Sequence, residues 1–158
     1  MSNVQRHRTG EGNCISYLST TNTAYEVGDM LYSASDAALP AGTAIWNSNL
    51  AVTQEAFHDA FLGVSQSARL SQTATDNLLI ATSGVHEMKC GDEVAKGIGT
   101  LMGPSKQSGN GLEPQQVSSV ATANLSVGRL VKTKAANATT CLVEITGSLT
   151  RDGVQAVA

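Results

Sequence analysis

Two histidines in this sequence stand directly before carboxylates, and such pairs could perform acid–base chemistry. They are His58 with Asp59, and His86 with Glu87. An imidazole held by a carboxylate can activate a Ser or Cys nucleophile. His58 and Asp59, however, fall on a predicted helix, where consecutive side chains point about 100° apart. Because the sequence places no nucleophile near them, we predict that the protein is not an enzyme.

His86 and Glu87 are also candidate metal ligands. A metal site needs further ligands at a recognisable spacing, and no second His or Cys stands at such a spacing here. We therefore predict no metal, and we expect both residues to be solvated residues of a strand. A ligand-binding or enzymatic β-barrel with His58, Asp59, His86 and Glu87 as its polar centre remains an alternative.

Residues 97–104, GIGTLMGP, superficially resemble a glycine-rich phosphate loop. The third Gly comes one place late for the dinucleotide pattern, no Lys-Ser or Lys-Thr ends the stretch, and Pro104 stands where a helix should begin. We predict that these glycines serve tight turns and a bulge, and that the protein uses no cofactor.

Three cysteines, Cys14, Cys90 and Cys141, are widely spaced and form no CxxC motif. An odd number at such spacing does not indicate a disulfide framework. We predict small buried thiols in a reducing cytoplasm.

The composition narrows the range of partners. The chain has 158 residues, about one domain, with 15% charged residues, 4% aromatic residues and a net charge of −3 without a basic stripe. Nucleic acid is therefore not an expected partner, since duplex binding depends on clustered Lys and Arg. No apolar run is long enough for a membrane span or follows the N-terminus as in a secretion signal. A sparsely charged surface favours packing against copies of the chain or another protein.

The spacing of apolar residues predicts an all-β domain with one short helix. The helix is expected at residues 53–60, capped by Thr53. Residues 61–70 and 78–88 alternate as a pair of strands, and residues 127–132 and 141–149 are strands as well. Residues 115–123 are ambiguous between a strand and irregular chain, and Asn110-Gly111 is a hairpin candidate.

Three segments are expected: an N-terminal arm at 1–22, a β domain at 23–150 and a C-terminal tail at 151–158. The β domain could contain a repeat, 24–88 and 89–149, in which Gly28 matches Gly91. In the same alignment Gly63 matches Gly128, and Leu78 matches Leu142. True duplication and shared β composition both remain open.

The predicted contact residues lie mostly in the arm. The arm is either mobile or ordered by a partner, and Ile15 and Tyr17 alternate as in a strand that could pair with a neighbouring edge. Trp46 is expected to be a core or interface anchor. The candidate contacts with a partner or with another subunit are Arg6, Arg8, Ile15, Tyr17, Leu18 and Trp46.

Short glycine motifs follow one another over residues 24 to 149: Gly28-Asp29, Phe61-Leu62-Gly63-Val64, Gly84-Val85-His86-Glu87, Gly91-Asp92, Val127-Gly128 and the closing Leu142-Val143-Glu144-Ile145. Their order resembles that in the capsid cement, or head decoration, proteins of tailed bacteriophages. The resemblance offers no motif for the arm.

This resemblance implies a small β-barrel or tulip-like sandwich, often a homotrimer, on the outer surface of the virion. Its partner would be the major capsid protein, and the protein would be made in the host cytoplasm. A tail-tube or tail-fibre component shares the composition and is the second structural alternative.

Overall fold

The computed structural model describes residues 7–9, 13–45, 49–108 and 111–148; for 7–9 only the backbone is described. These residues form eleven strands and one α-helix, so the all-β prediction is confirmed. In chain order the elements are β1 His7–Thr9, β2 Cys14–Leu18, β3 Met30–Ala34, β4 Ala37–Pro40, α1 Leu50–Ala60, β5 Phe61–Ser65, β6 Asn77–Ala81, β7 Ser83–Cys90, β8 Leu101–Lys106, β9 Leu112–Ser119, β10 Gly128–Leu130 and β11 Thr140–Thr146. Short 3₁₀ turns lie at Ala41–Thr43 and Ala123–Leu125.

The strands form two sheets, which divide the chain into two units. The first unit, residues 13–82, has the strand order β2-β6-β5-β3-β4, and a parallel bridge from Ser19 to Ala38 joins its outer strands. The second unit, residues 83–148, has the order β7-β11-β10-β8-β9, and a parallel pairing of β7 with β9 closes it into a barrel. β1 adds to the β7 edge of this second sheet.

The two units share one topology. Numbered in chain order within each unit, the strands lie in the spatial order first, fifth, fourth, second, third. Loop hydrogen bonds repeat too: Gly28 N donates to Ser65 O at 2.8 Å, and Gly99 N donates to Leu130 O at 2.8 Å. Gly28 and Gly99 also have similar positive φ angles, 103° and 83°, a conformation that Gly adopts without steric cost. The second unit therefore repeats the first, with Gly99 at the place of Gly28.

This equivalence corrects one pairing of the predicted repeat and agrees with another. Gly28 corresponds to Gly99, whereas the sequence pattern paired it with Gly91. Gly63 and Gly128 do occupy the same place, because an added Cβ would lie 2.1 Å from a carbonyl oxygen of the adjacent strand at both positions. The sequence pattern was misleading at Gly91 because it cannot show which loop hydrogen bonds each Gly makes.

The third predicted pairing is displaced by one residue. At the end of β2, Ser19 N donates to Asp76 O at 2.8 Å. At the end of β7, Cys90 N donates to Thr139 O at 2.9 Å, so Asp76 and Thr139 correspond. Two residues further along, Leu78 therefore corresponds to Cys141 and not to Leu142.

The boundary between units is also earlier than predicted, since the chain passes from one sheet to the other at Thr82.

The predicted arm needs correction over residues 13–22. β2 pairs along its whole length with β6 of the same chain, from Cys14 opposite Ala81 to Leu18 opposite Asn77. The alternation in this stretch did indicate a strand, but the strand belongs to the first unit and not to a projecting arm. The polar residues that follow it are anchored as well: Thr20 N donates to Tyr25 Oη at 2.8 Å.

The helix starts earlier than the sequence indicated. α1 begins at Leu50, and its cap is Asn49, whose Oδ1 accepts from Ala51 N at 2.9 Å. Thr53, the predicted cap, is buried inside the helix and donates through its hydroxyl to Asn49 O at 3.0 Å. Asn ranks above Thr as an N-cap residue, which accounts for the earlier start.

Two apolar clusters form the core. One fills the first unit, around Leu31, Leu62 and Ile80. The larger cluster spans both units and includes Phe57 of α1, whose ring lies 5.7 Å from that of Tyr32 between centroids. The helix is thus packed where the two units meet, and the units share one core.

The remaining predicted strands are present in the structure, but their bounds differ from the predicted ones. β5 and β6 pair as expected, but β5 ends at Ser65 and not at residue 70. β10 and β11 confirm the two C-terminal strands. The ambiguous stretch 115–123 is strand as far as Ser119, where β9 ends, and is irregular from there to the following 3₁₀ turn. β8 and β9 form the expected hairpin, whose tip at 109–110 lies outside the described residues.

Candidate functional site

His58 links α1 to the second unit through a hydrogen bond. Its Nδ1 lies 2.5 Å from Ser126 O, and since a carbonyl only accepts, Nδ1 carries the proton and donates. Nearby, Asn124 Nδ2 donates to Glu55 Oε1 at 3.0 Å, which adds a second link between α1 and this part of the second unit. Asp59 is exposed. The His58 ring therefore makes a hydrogen bond that holds α1 against the second unit.

His86 is completely buried, so its expected solvation is wrong. Its side chain lies on the same face of β7 as that of Met88, which belongs to the core. The Nε2 atom of His86 is 3.3 Å from Ser83 O. The prediction failed because the sequence did not show that β7 would have sheet partners on both edges. Glu87 is half-buried, on the opposite face of the strand.

The four polar candidates are not brought together around one cavity. His58 lines a cavity of about 370 Å³ with Arg129 and Glu144. Glu87 lines a different cavity of about 470 Å³ with Lys132 and Lys134. Among the described residues there is no group of three or more His, Cys, Asp or Glu that could hold a metal ion.

A polar cluster that the sequence analysis missed lies at the junction of the two units. Asp29 is only 5% exposed, and its Oδ1 accepts from Gln115 Nε2 of β9 at 3.0 Å. The same nitrogen is 3.3 Å from Glu26 Oε2, and Glu26 N donates to Asp29 Oδ2 at 2.8 Å. Burial raises the pKa of Asp29, and its hydrogen bonds to Glu26 N and Gln115 oppose that rise.

These residues line a cavity of about 300 Å³ between the units, together with Lys89, Glu113 and Pro114. Gln115 lies in β9 of the second unit, while Glu26 and Asp29 lie in the turn before β3 of the first. The cluster therefore links the two units through side chains. The only sequence signal was Gly28-Asp29, which indicates a turn and not a buried carboxylate.

Equivalent cations stabilise the long loops of both units. Arg69 Nη1 donates to Thr23 O at 3.3 Å in the first unit, and Lys134 Nζ donates to Val94 O at 3.2 Å in the second. Arg69 and Lys134 occupy the same place in the repeat, because each forms the antiparallel bridge that closes its loop pair. Charge-assisted hydrogen bonds to carbonyls are among the stronger ones in proteins, so these loops are held to defined positions.

The outer face of β2 and β6 is exposed and carries no charge. We call it the uncharged face, and it consists of Cys14, Ser16, Leu18, Asn77 and Leu79. Leu18 is 44% exposed and Leu79 is 47% exposed. They are diagonal neighbours on this face, since Ser16 lies opposite Leu79 and Leu18 opposite Asn77. Further exposed apolar side chains lie mostly in loops and near α1: Ile45, Val52, Leu70, Val94 and Ile98.

The structure separates the predicted contact residues. Leu18 is on the uncharged face, whereas Ile15 and Tyr17 are half-buried and pack against the core of the first unit. Tyr17 Oη also shares a hydrogen bond of 2.9 Å with Ser33 Oγ. Arg6 and Trp46 lie outside the described residues, and only the backbone of Arg8 is described, in β1.

No protein-family model matches the chain, and no curated protein sequence matches it. Of the helices in the described ranges, none is long and apolar enough to cross a membrane.

Proposed function

We propose that this protein is a structural virion component: a capsid cement, or decoration, protein that binds the outer face of a phage head. Its partners are the major capsid protein and further copies of itself, arranged as a homotrimer. The glycine motifs that resemble this family support the proposal, since they stand at close-packed positions of the fold such as Gly63 and Gly128.

One observation carries the proposal: the uncharged face combines exposed Leu18 and Leu79 with neutral small and polar residues. An exposed apolar patch on an otherwise polar surface marks an interaction site more often than a catalytic one. It lies on paired strands whose inner residues belong to the core of the first unit, so it is held on a rigid support.

Cementing requires contact and no chemistry. A protein that binds only the assembled shell stabilises that state by mass action, in proportion to its affinity and concentration. In a trimer, identical subunits meet through two different surfaces around a closed threefold axis. The capsid contact and the self contact are therefore expected to use separate patches, and we assign the uncharged face to the capsid.

The test is reconstitution on heads that lack the protein. The double variant Leu18→Lys with Leu79→Lys should lower the affinity for heads at least tenfold. Burying one Leu side chain contributes about 1.5–3 kcal/mol, and about 1.4 kcal/mol corresponds to a factor of ten. Val94→Lys, an exposed apolar residue in a loop of the second unit, is the matched control and should bind like the wild type. Occupancy is read by sedimentation with the heads, and cementing by their melting temperature.

Two results would contradict the proposal. Failure of the wild-type protein to bind or stabilise heads excludes a cement function, and assembly into rings or tubes indicates a tail component. If Val94→Lys abolishes binding while the double variant binds normally, the function stands and the uncharged face is the wrong surface.

A further inference from the structure

Two of the three cysteines lie together inside the second unit. Cys90 is the last residue of β7, and Cys141 is the second residue of β11. These strands pair antiparallel with Cys141 opposite Met88, so Cys90 and Cys141 are diagonal neighbours on one face. Cys141 belongs to the core cluster and Cys90 packs against it. The Cys90 side chain is close enough to Cys141 to raise the pKa of its thiol.

We propose that Cys90 and Cys141 form a site of oxidative modification, at which a small-molecule disulfide such as glutathione disulfide converts the two thiols into a bond between β7 and β11. This inference does not depend on the proposed function. The prediction of buried thiols is wrong for Cys14, which is exposed on the uncharged face, and holds fully only for Cys141.

The reaction proceeds by two thiol–disulfide exchanges. Cys90 reacts first because it is half-exposed, whereas burial, the largest cause, and the neighbouring Cys90 raise the pKa of the Cys141 thiol. The Cys90 thiolate attacks one sulfur of glutathione disulfide, and one glutathione thiolate leaves. Cys141 then loses its proton and attacks the Cys90 sulfur, and the second glutathione thiolate leaves. The protein loses two electrons and two protons, and glutathione disulfide becomes two glutathione thiols.

Formation of the disulfide requires Cys90 and Cys141 to move closer together. Diagonal neighbours in an antiparallel pair lie roughly 7–8 Å apart, whereas the Cα atoms of a disulfide are about 5.5–6 Å apart. Cys90 ends β7, but it pairs with Val117 of β9 and its N–H donates to Thr139 O, so the shift must be accommodated at these two contacts. The raised pKa of Cys141 makes the second exchange the slow one, because only the thiolate is nucleophilic.

The first unit cannot form this bond. The residues at the corresponding places are Ser19 and Leu78, as the matching hydrogen bonds at the ends of β2 and β7 establish. The crosslink is therefore specific to the second unit. It closes a loop of about 50 residues and should raise the melting temperature by on the order of 10 °C.

The experiment uses the full chain with Cys14→Ser, which leaves two thiols. The protein is incubated with glutathione disulfide at mildly alkaline pH, unfolded in an alkylating reagent and weighed by mass spectrometry. We expect a mass lower by two hydrogen atoms, no alkylation, and a digest fragment in which the Cys90 and Cys141 peptides are joined. Addition of Cys90→Ala should leave one alkylated cysteine and abolish the rise in melting temperature.

Three results would overturn the inference. They are two alkylated thiols after prolonged oxidation, a lasting glutathione adduct on Cys90 without the crosslink, and a disulfide that joins two chains. Each is read from the Cys14→Ser protein itself, so the conclusion does not require the Cys90→Ala variant to fold.

Discussion

Asp29, at the junction of the two units, makes the stability of the protein depend on pH. Burial raises the pKa of this carboxyl above its ordinary value. Between the ordinary and the raised value, the folded chain holds a proton that the unfolded chain has released. The free energy of unfolding therefore rises as the pH falls through this window, and the contribution is lost as the pH rises through the folded pKa.

Asp29→Asn should remove this part of the pH dependence. The Asn side chain cannot ionise, and like the protonated acid it presents an acceptor oxygen beside a donor group. We expect the stability of the variant to vary less with pH across the window than that of the wild type, as measured by urea unfolding at closely spaced pH values. Asp59→Asn, which replaces an exposed carboxylate on α1, is the control. An unchanged pH slope in Asp29→Asn would show that another group causes the dependence.

At the scale of the elements, two glycines allow neighbouring strands to approach closely. A Cβ at Gly63 would lie 2.1 Å from Ala81 O, and a Cβ at Gly128 would lie 2.1 Å from Glu144 O. Both oxygens belong to the backbone of a paired strand, so they cannot move aside as a flexible side chain could. Gly63 also has a φ of 147°, which side-chain-bearing residues rarely adopt.

Gly63→Ala and Gly128→Ala should therefore each lower the free energy of unfolding by more than about 2 kcal/mol. Gly97→Ala provides the matched control, because no heavy atom lies within 4 Å of its added Cβ. We expect its effect to stay within about 0.5 kcal/mol, as for other surface substitutions. Urea denaturation of the three variants measures the differences. A loss in Gly97→Ala equal to the other two would mean that the cost is a general Gly-to-Ala effect and not a clash.

The sequence predicts strands where apolar and polar residues alternate. The pairing of β5 with β6 followed from alternation, but the continuous run from Leu78 to Met88 concealed the passage between sheets at Thr82. The same run gave no sign that His86 is buried, because burial there depends on sheet partners that are distant in the chain. Of the predicted contacts, Leu18 is exposed on the uncharged face, whereas Tyr17 faces the core, as alternation along β2 requires.

At the scale of the whole molecule, the repeat has one shared core and not two independent ones. The larger apolar cluster contains residues of both units, and Phe57 contributes to it from the helix between them. Its ring is completely buried and lies 5.6 Å from that of Phe61 between centroids. Neither unit can bury this cluster alone, so the two units should unfold together although each has a complete strand order.

Phe57→Ala tests this coupling directly. Removal of a buried aromatic ring typically lowers stability by about 3–5 kcal/mol, and here the loss should appear equally in probes of both units. Near-ultraviolet circular dichroism of the tyrosines follows the first unit, which contains all three of them. Labelling of Cys141, only 6% exposed in the folded chain, follows the second. In the wild type and the variant the two probes should give one coincident urea midpoint; separate midpoints would mean that each unit is stable without its neighbour and that the shared core contributes little.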